Sequence, residues 1–443
     1  MASVLAVDVG SSSVRAQVFD ERGGPADELR QAAYRGDDPD EIVALVRDVV
    51  GGRDAAVDAV GASCFGHSLL ALDAAGRPLT PVLGWRDNRA AGAAEELRRR
   101  LDPAAVHART GQHLHPSFWP AKLRWLAQEQ PEVFAAAARF VSVADYLYAE
   151  LLGVAEPVTS MSVASSTGLL DVHSCTWDAE LLELAGVDES RLPRIGDEPH
   201  DRWYPALFDG ACSNLGAGCT GRGRAALMVG TSAALRVLYE TEEPSPRPGL
   251  FLYRLDERRV VEGGALSDGG NLNDWLERTL AAPSGSLADR GPNDHGLTFL
   301  PFLGGERSTG WDPTQTGTVT GLTFATTPLD LRQAGLEGVA FRIAAIADRL
   351  PEVDEIVATG GGLLRDPEWT QIMADALART VVASGVEEAS LRGAAVTTLE
   401  RLGYQAAAAP LGSAFEPRGH LADAYRSARE RQQRLYEVLR GED

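Results

Sequence analysis

Lysine is nearly missing from this chain: of 42 basic residues only Lys122 is a lysine, and it stands in the stretch WPAKLRW rather than after a glycine. That excludes a Walker A loop and the strand lysine of protein kinases. Positive charge is short overall, with 42 Lys+Arg against 63 Asp+Glu and a formal net charge of −21. Such a surface repels nucleic acid and anionic lipid, so neither a nucleic-acid partner nor a membrane role is expected. An anionic ligand must then be held by backbone N–H groups, a metal ion or single arginines. Cysteine is scarce as well. Cys64, Cys175, Cys212 and Cys219 lack paired metal-ligand spacing and read as buried free thiols of a reducing compartment. No apolar run reaches the roughly 18 residues of a membrane span. The N-terminal run MASVLAVDVG meets Asp8 well short of a signal h-region, so a cytoplasmic protein is expected.

The chain does have length and apolar content, 443 residues at 44% hydrophobic, enough for two or three domains. SVLAVDVGSSSVRAQVFDERG reads as two β-strands joined by a Gly-Ser turn, and RAALMVGTSAALRVLYE repeats the pattern half a chain later. Val229, Gly230, Thr231 and Ser232 stand where Val9, Gly10, Ser11 and Ser12 stood, and Arg236 echoes Arg15. This predicts two related domains, each opening on a strand, a hydroxyl turn and a strand. Between and beyond the copies, strand and helix signals alternate, which argues for an α/β, two-lobed protein. RAAGAAEELRRRL and PEVFAAAARFVSVADYLYAELLG are predicted helical. TTPLDLRQAGLEGVAFRIAAIADRL is the clearest helix, capped by Thr327 with Pro328 and Asp330, its buried stripe running through Val339, Ile343, Ile346 and Leu350. EIVATGGG predicts a strand ending in three glycines, followed by a helix started by Asp366-Pro367, and the domain break falls near GCTGRGR.

A Gly-Ser-Ser-Ser turn gathers backbone N–H groups and hydroxyls into a concave nest that accepts phosphate without lysine. An ordinary hairpin turn reads the same way in isolation. The recurrence of a hydroxyl turn in the other half, GTS, and the glycine platform ATGGG together point to a triphosphate held across a cleft. Asp209, in YPALFDGACSNLGAG, has two readings: an N-cap for the small-residue helix that follows, or an acid that does chemistry.

The stretches above, with GHSLL, GWRDNRA, HPSFWPAKLRWL, NLNDWL and FLPFLGGERSTGWDP, follow one another as in the FGGY carbohydrate kinases, which the chain resembles over nearly its whole length. CFGHSLLALD and DGACSNLGAG are most similar to the gluconate kinase branch. The resemblance implies an α/β fold of two actin/hexokinase-type (ribonuclease H-like) domains around a central cleft, residues 1–222 holding the sugar and 223–443 the nucleotide. It implies ATP-dependent phosphorylation of a sugar or sugar-acid hydroxyl, gluconate foremost, with ATP and Mg2+ as cofactors; a homodimer is compatible with it. Ser11, Ser12, Ser13, Arg15 and Thr231 match the phosphate loops. Gly270 and Asp274, with Gly361, Gly362 and Asp366, match the adenine side. Asp8 matches the metal-associated carboxylate and Asp209 the catalytic base. His67, Trp85, Asp87 and Ser117 match sugar contacts, and Arg86, Arg89 and Lys122 are the candidate cations for an acid group. RIGDEPHDRWYPALFDG and RTLAAPSGSLADRGPNDHG look shorter than in the family, which puts an edge strand and some cleft surface in doubt. Xylulose, ribulose and glycerol are the rival substrates, and a non-catalytic nucleotide or sugar sensor the rival of another class.

Overall fold

The computed structural model describes residues 2–156, 158–282, 285–288 and 290–441. The first half builds a five-stranded sheet from β1 (Ser3–Val9), β2 (Ser13–Asp20), β3 (Arg30–Ala33), β4 (Ala59–Cys64) and β5 (Leu207–Phe208), in the order β3-β2-β1-β4-β5. The first three strands are antiparallel neighbours, and β4 and β5 join in parallel. The second half repeats this plan. β6 (Arg224–Val229), β7 (Ala233–Glu240), β8 (Phe251–Arg254), β9 (Arg259–Leu266), β10 (Glu355–Thr359), β11 (Val381–Ser384) and β12 (Leu411–Phe415) lie in the order β8-β9-β7-β6-β10-β11-β12. Here β9-β7-β6-β10-β11 shows the same succession of antiparallel, antiparallel, parallel and parallel pairings. β8 and β12 extend the two edges. Central strands such as β1, LAVDV, are buried on both faces and therefore read as continuous apolar runs.

Two helices join the halves. α1 (Asp209–Gly216) ends the first half, and α4 (Ala389–Arg401), from the second, packs against α1 and across β1 and β4. Glycine makes that crossing feasible. A methyl group built on Gly216 would collide with the carbonyl of Ala389, and one on Gly393 with the carbonyl of Cys212. The backbones therefore touch directly at the junction, where side chains would hold them apart.

The helix predicted over 131–153 is broken. Pro131–Ala136 is helical, Arg139–Val141 pairs with Leu70–Leu72 as a short hairpin-like sheet, and Ser142 opens a new helix, Val143–Leu152, through a capping box with Asp145. Pairing with a distant strand, which local composition does not show, overrides helix propensity here. The capped helix α2 (Pro328–Ala347) forms as expected, with Thr327 and Asp330 reciprocating. It is buried nearly all round rather than along one stripe, and Leu350 lies beyond its end. Asp366 caps α3 (Pro367–Leu377) by accepting from the Trp369 N–H. The four cysteines are free, with Cys175 only half-buried. No helix among the described residues is long and apolar enough to cross a membrane.

Candidate active site

Both hydroxyl turns sit on the inner ends of the central strands. In the first, the Gly10 N–H donates to the Ser13 carbonyl at 2.9 Å, leaving Ser11 and Ser12 exposed at the tip. In the second, the Gly230 N–H donates to Ser232 O at 3.0 Å and Thr231 stands exposed. Ser11, Thr231 and Ser232 line one cavity of about 210 Å³ together with Asp8, His67 and Asp209. The two turns are thus close enough to share a ligand.

Asp209 is the first residue of α1, with Phe208 at the N-cap position and no side-chain cap hydrogen bond. The capping role is therefore not the one it plays. Burial pushes its carboxyl up to about 6, Arg236 pulls the other way and Asp8 adds to the rise. Asp8 is the last residue but one of β1 and is 4% exposed. Its Oδ2 accepts from Arg15 at 3.1 Å, while Oδ1 is buried with no hydrogen-bond partner. Burial raises its pKa against the pull of the neighbouring Ser63 hydroxyl and of Arg15. Arg15 also reaches Glu388, at the start of α4, at 3.5 Å, tying the first turn to the other half. The proposed echo of Arg15 in Arg236 does not hold in three dimensions. Arg15 lies opposite Asp8, Arg236 opposite Ala226, because the second turn is one residue tighter, Val9 pairing with Val14 but Val229 with Ala233, and because Arg236 stands one residue further along its strand than Arg15 does.

The expected sugar wall comes together in part. His67 adopts a left-handed backbone, φ 66°, and its Nδ1 donates to the Ser166 carbonyl at 2.6 Å, so Nε2 is left as an acceptor. Burial, then the positive charge of Arg307, holds its pKa well below the ordinary value, and the ring is neutral. Trp85 lines this cavity and an outer one of about 620 Å³. Ser117 is buried beneath it and donates to the Trp85 carbonyl at 2.8 Å. Asp87 turns aside: Arg89 binds its carboxylate through Nε at 3.0 Å and Nη2 at 2.5 Å. Lys122 is no ligand for an acid group. It is 1% exposed, and Nζ donates to the carbonyls of His67 at 2.6 Å and Leu83 at 2.9 Å. The sole lysine therefore ties down the two loops that carry His67 and Trp85. Burial pushes its pKa down to about 7.

At the expected adenine end, glycines pack against the second turn. The Gly270 N–H donates to Gly230 O at 2.8 Å, and a Cβ on Gly360 would strike the Val229 carbonyl. Gly361 and Gly362 follow in the same loop. Asp366 is committed to its cap and to Arg332 at 2.8 Å. Asp274 is exposed on the helix Gly270–Thr279. Part of the trimmed segment 278–296 lies outside the described residues at 283, 284 and 289.

Two groups at the cleft, Arg307 and His115, are not picked out as site residues by the sequence, and Arg236 shows there only as an echo of Arg15. Arg236, Arg307 and His115 are 6%, 8% and 4% exposed, and both arginines carry a buried nitrogen with no partner. Arg307 lies in the quoted stretch GGERSTGWDP, where an arginine after two glycines was the available signal. Its neighbour Glu306 anchors the loop, accepting from Tyr436 at 2.7 Å and Arg342 at 3.2 Å.

Comparison with known proteins agrees with this architecture. Residues 3–199 match the N-terminal domain model of the FGGY family of carbohydrate kinases, and residues 225–399 the C-terminal domain model. A gluconokinase of Bacillus subtilis (strain 168) is 28% identical, covering 93% of this chain and 91% of its own. A xylulose kinase of Staphylococcus xylosus is 26% identical over 89% and 90% respectively. The solved structure of a ligand-bound xylulose kinase from Lactobacillus acidophilus superimposes with a TM-score of 0.90, covering 99% of this chain and 98% of that one at 24% identity.

Proposed function

The chain belongs to the FGGY family of carbohydrate kinases, whose members are ATP-dependent sugar kinases, and from that premise we propose that it phosphorylates the terminal hydroxyl of a sugar acid, gluconate to 6-phosphogluconate. The observation that carries the reading is one cavity lined by the Asp209 carboxylate and both hydroxyl turns. In this reading residues 223–443 hold ATP, its phosphates against Thr231 and the turn Ser11–Ser13 with Arg15 beside it. Gly270, Asp274, Gly361 and Gly362 flank the base, with Asp366 fixing the last loop. Residues 1–222 hold the acceptor against His67, Trp85 and Ser117.

Asp209 orients the attacking hydroxyl and accepts its proton. A carboxylate is a weak base for an alcohol, but in a loose phosphoryl-transfer transition state the proton leaves late, so a pKa near 6 suffices. The orphaned Oδ1 of Asp8 fits a divalent cation, held directly or through water. Mg2+ bound there supplies charge neutralisation for the phosphates. Arg236, over Gly210 at the head of α1, adds positive charge beside the base.

An ADP-coupled assay across aldonates, ketopentoses and glycerol tests the reaction. Gluconate should lead; equal rates on xylulose overturn the branch assignment. Asp209→Asn should lower kcat about 1,000-fold while raising the unfolding midpoint above pH 6, since a carboxylate whose pKa is raised on folding costs stability once ionised. Unchanged phosphoryl transfer in that variant removes Asp209 from the chemistry, whereas no ADP formation from any acceptor in the unmodified protein favours a sensor.

A further inference from the structure

The described residues include five buried arginines, at positions 236, 254, 307, 342 and 392. Three have acceptors in the protein. Arg254 donates to the Val172 carbonyl at 2.8 Å, Arg342 to Glu306 at 3.2 Å, and Arg392 to Gly216 O at 2.8 Å and Ala407 O at 2.6 Å. Arg236 and Arg307 have neither a hydrogen bond nor an ion pair from the guanidinium to any described residue, and both face the cleft at Asp209. A buried guanidinium without acceptors is costly, and a bound ligand is the ordinary remedy.

Charge says what kind of ligand. The inner cavity is lined by Arg15, Arg86, Arg236 and Arg307 against Asp8 and Asp209, four cations to two carboxylates, in a chain of net charge −21. The two unpartnered arginines face different ends. Arg236 lies over Gly210 on the strand that follows the Thr231 turn, on the phosphoryl side. Arg307 lies where the inner and outer cavities meet, against Trp85 at 5.4 Å and Trp311 at 5.9 Å. Arg86 covers the Trp85 ring at 4.6 Å. His115 lines the same outer cavity. Its Nδ1 accepts from the Ser117 N–H at 3.2 Å, so Nε2 carries the proton and faces the Glu306 backbone.

Resting on the kinase reading above, we propose that Arg307, with Arg86, holds a carboxylate on the acceptor, so that the substrate is an acid spanning from the outer cavity to Asp209. A neutral polyol offers hydroxyls to these donors but leaves the charge unmatched. The earlier candidates Arg89 and Lys122 are already engaged, by Asp87 and by two carbonyls.

Calorimetric titration without nucleotide tests this with D-gluconate and D-galactonate, each beside its own alditol, D-glucitol and galactitol. The unmodified protein should prefer at least one aldonate over its alditol by about 100-fold, the scale of a charge-assisted bidentate pair. Arg307→Gln should bring the aldonate down to the alditol's level and leave the alditol unchanged, and Arg307→Lys should recover part of the preference. Arg236→Gln should keep the aldonate affinity and lower kcat. The inference falls if no aldonate is preferred, or if Arg307→Gln lowers kcat with aldonate affinity intact, which would give Arg307 to the transferring phosphoryl group. It falls equally if all three arginine variants lose near-ultraviolet ellipticity, because the residue then acts in folding. Phosphorylation of neutral sugars without aldonate binding sinks the acid and leaves the kinase. Arginine-dependent aldonate binding without ADP formation does the reverse.

Discussion

The two strand–turn–strand units differ where their sequences look most alike. In the first, an aspartate stands next to last in β1, an arginine lies opposite it, and a glutamate from the other half completes the chain Asp8–Arg15–Glu388. In the second, Met228 occupies the position equivalent to Asp8, and Arg236 lies two pairs further from the turn with no partner for its guanidinium. The first turn is thus internally neutralised except for one carboxylate oxygen, and the second presents bare positive charge. A duplicated scaffold has been given complementary electrostatics, an orphan acceptor on one side and orphan donors on the other, as a charged ligand lying between them requires.

The strongest way to break that arrangement is through the junction both units lean on. Gly393→Val should destabilise the fold by about 4 kcal/mol or more, read from the denaturant midpoint, because no side chain fits against the Cys212 carbonyl. Next in size, Asp8→Asn should lower kcat about 100-fold and raise the Mg2+ concentration needed for half-maximal rate. An unaltered metal requirement would separate Asp8 from the cation. Lys122→Met should cost about 2 kcal/mol by stranding two carbonyls, and should raise the KM for the acceptor through the His67 and Trp85 loops. It carries a pH signature too. With a folded pKa near 7 against an ordinary 10.5, the unfolded chain binds this proton more tightly between those values, so Lys122 adds stability as pH rises from 7 to 10.5. The variant should lose that slope. Smallest, Thr231→Ala should raise the nucleotide KM about fivefold, the worth of one hydrogen bond, and leave acceptor binding alone.

Much of the scaffold was legible beforehand because it rests on local chemistry. The strands of β1, β2, β6 and β7, the turns at Gly10 and Gly230, and the Thr327 box follow from residues within a few positions of each other. Where a partner lay far away, the reading slipped. The segment 131–153 reads as one helix because nothing nearby announces that Arg139–Val141 pairs with Leu70–Leu72. Lys122 was a candidate ligand because an amphipathic-looking WPAKLRW does not reveal two carbonyls waiting in the core. Asp87 was placed in the wall, but its neighbour Arg89 folds back on it. Arg236 echoes Arg15 in sequence, but a tighter turn and one more intervening residue set it two pairs further from the turn, and nothing beside Arg307 in GGERSTGWDP shows that its guanidinium stays unpartnered.

The chain's own order of residues determined a doubled α/β scaffold, where it turns, and that it carries phosphate-type loops without lysine. Those features depend on backbone preferences and short-range hydrogen bonds, which neighbouring residues set. Which charges are spent and which are free was decided only on folding. An arginine is structural or ligand-facing according to the acceptors that remote segments bring to it: Arg392 is ringed by carbonyls from three parts of the chain, and the Arg307 guanidinium meets none.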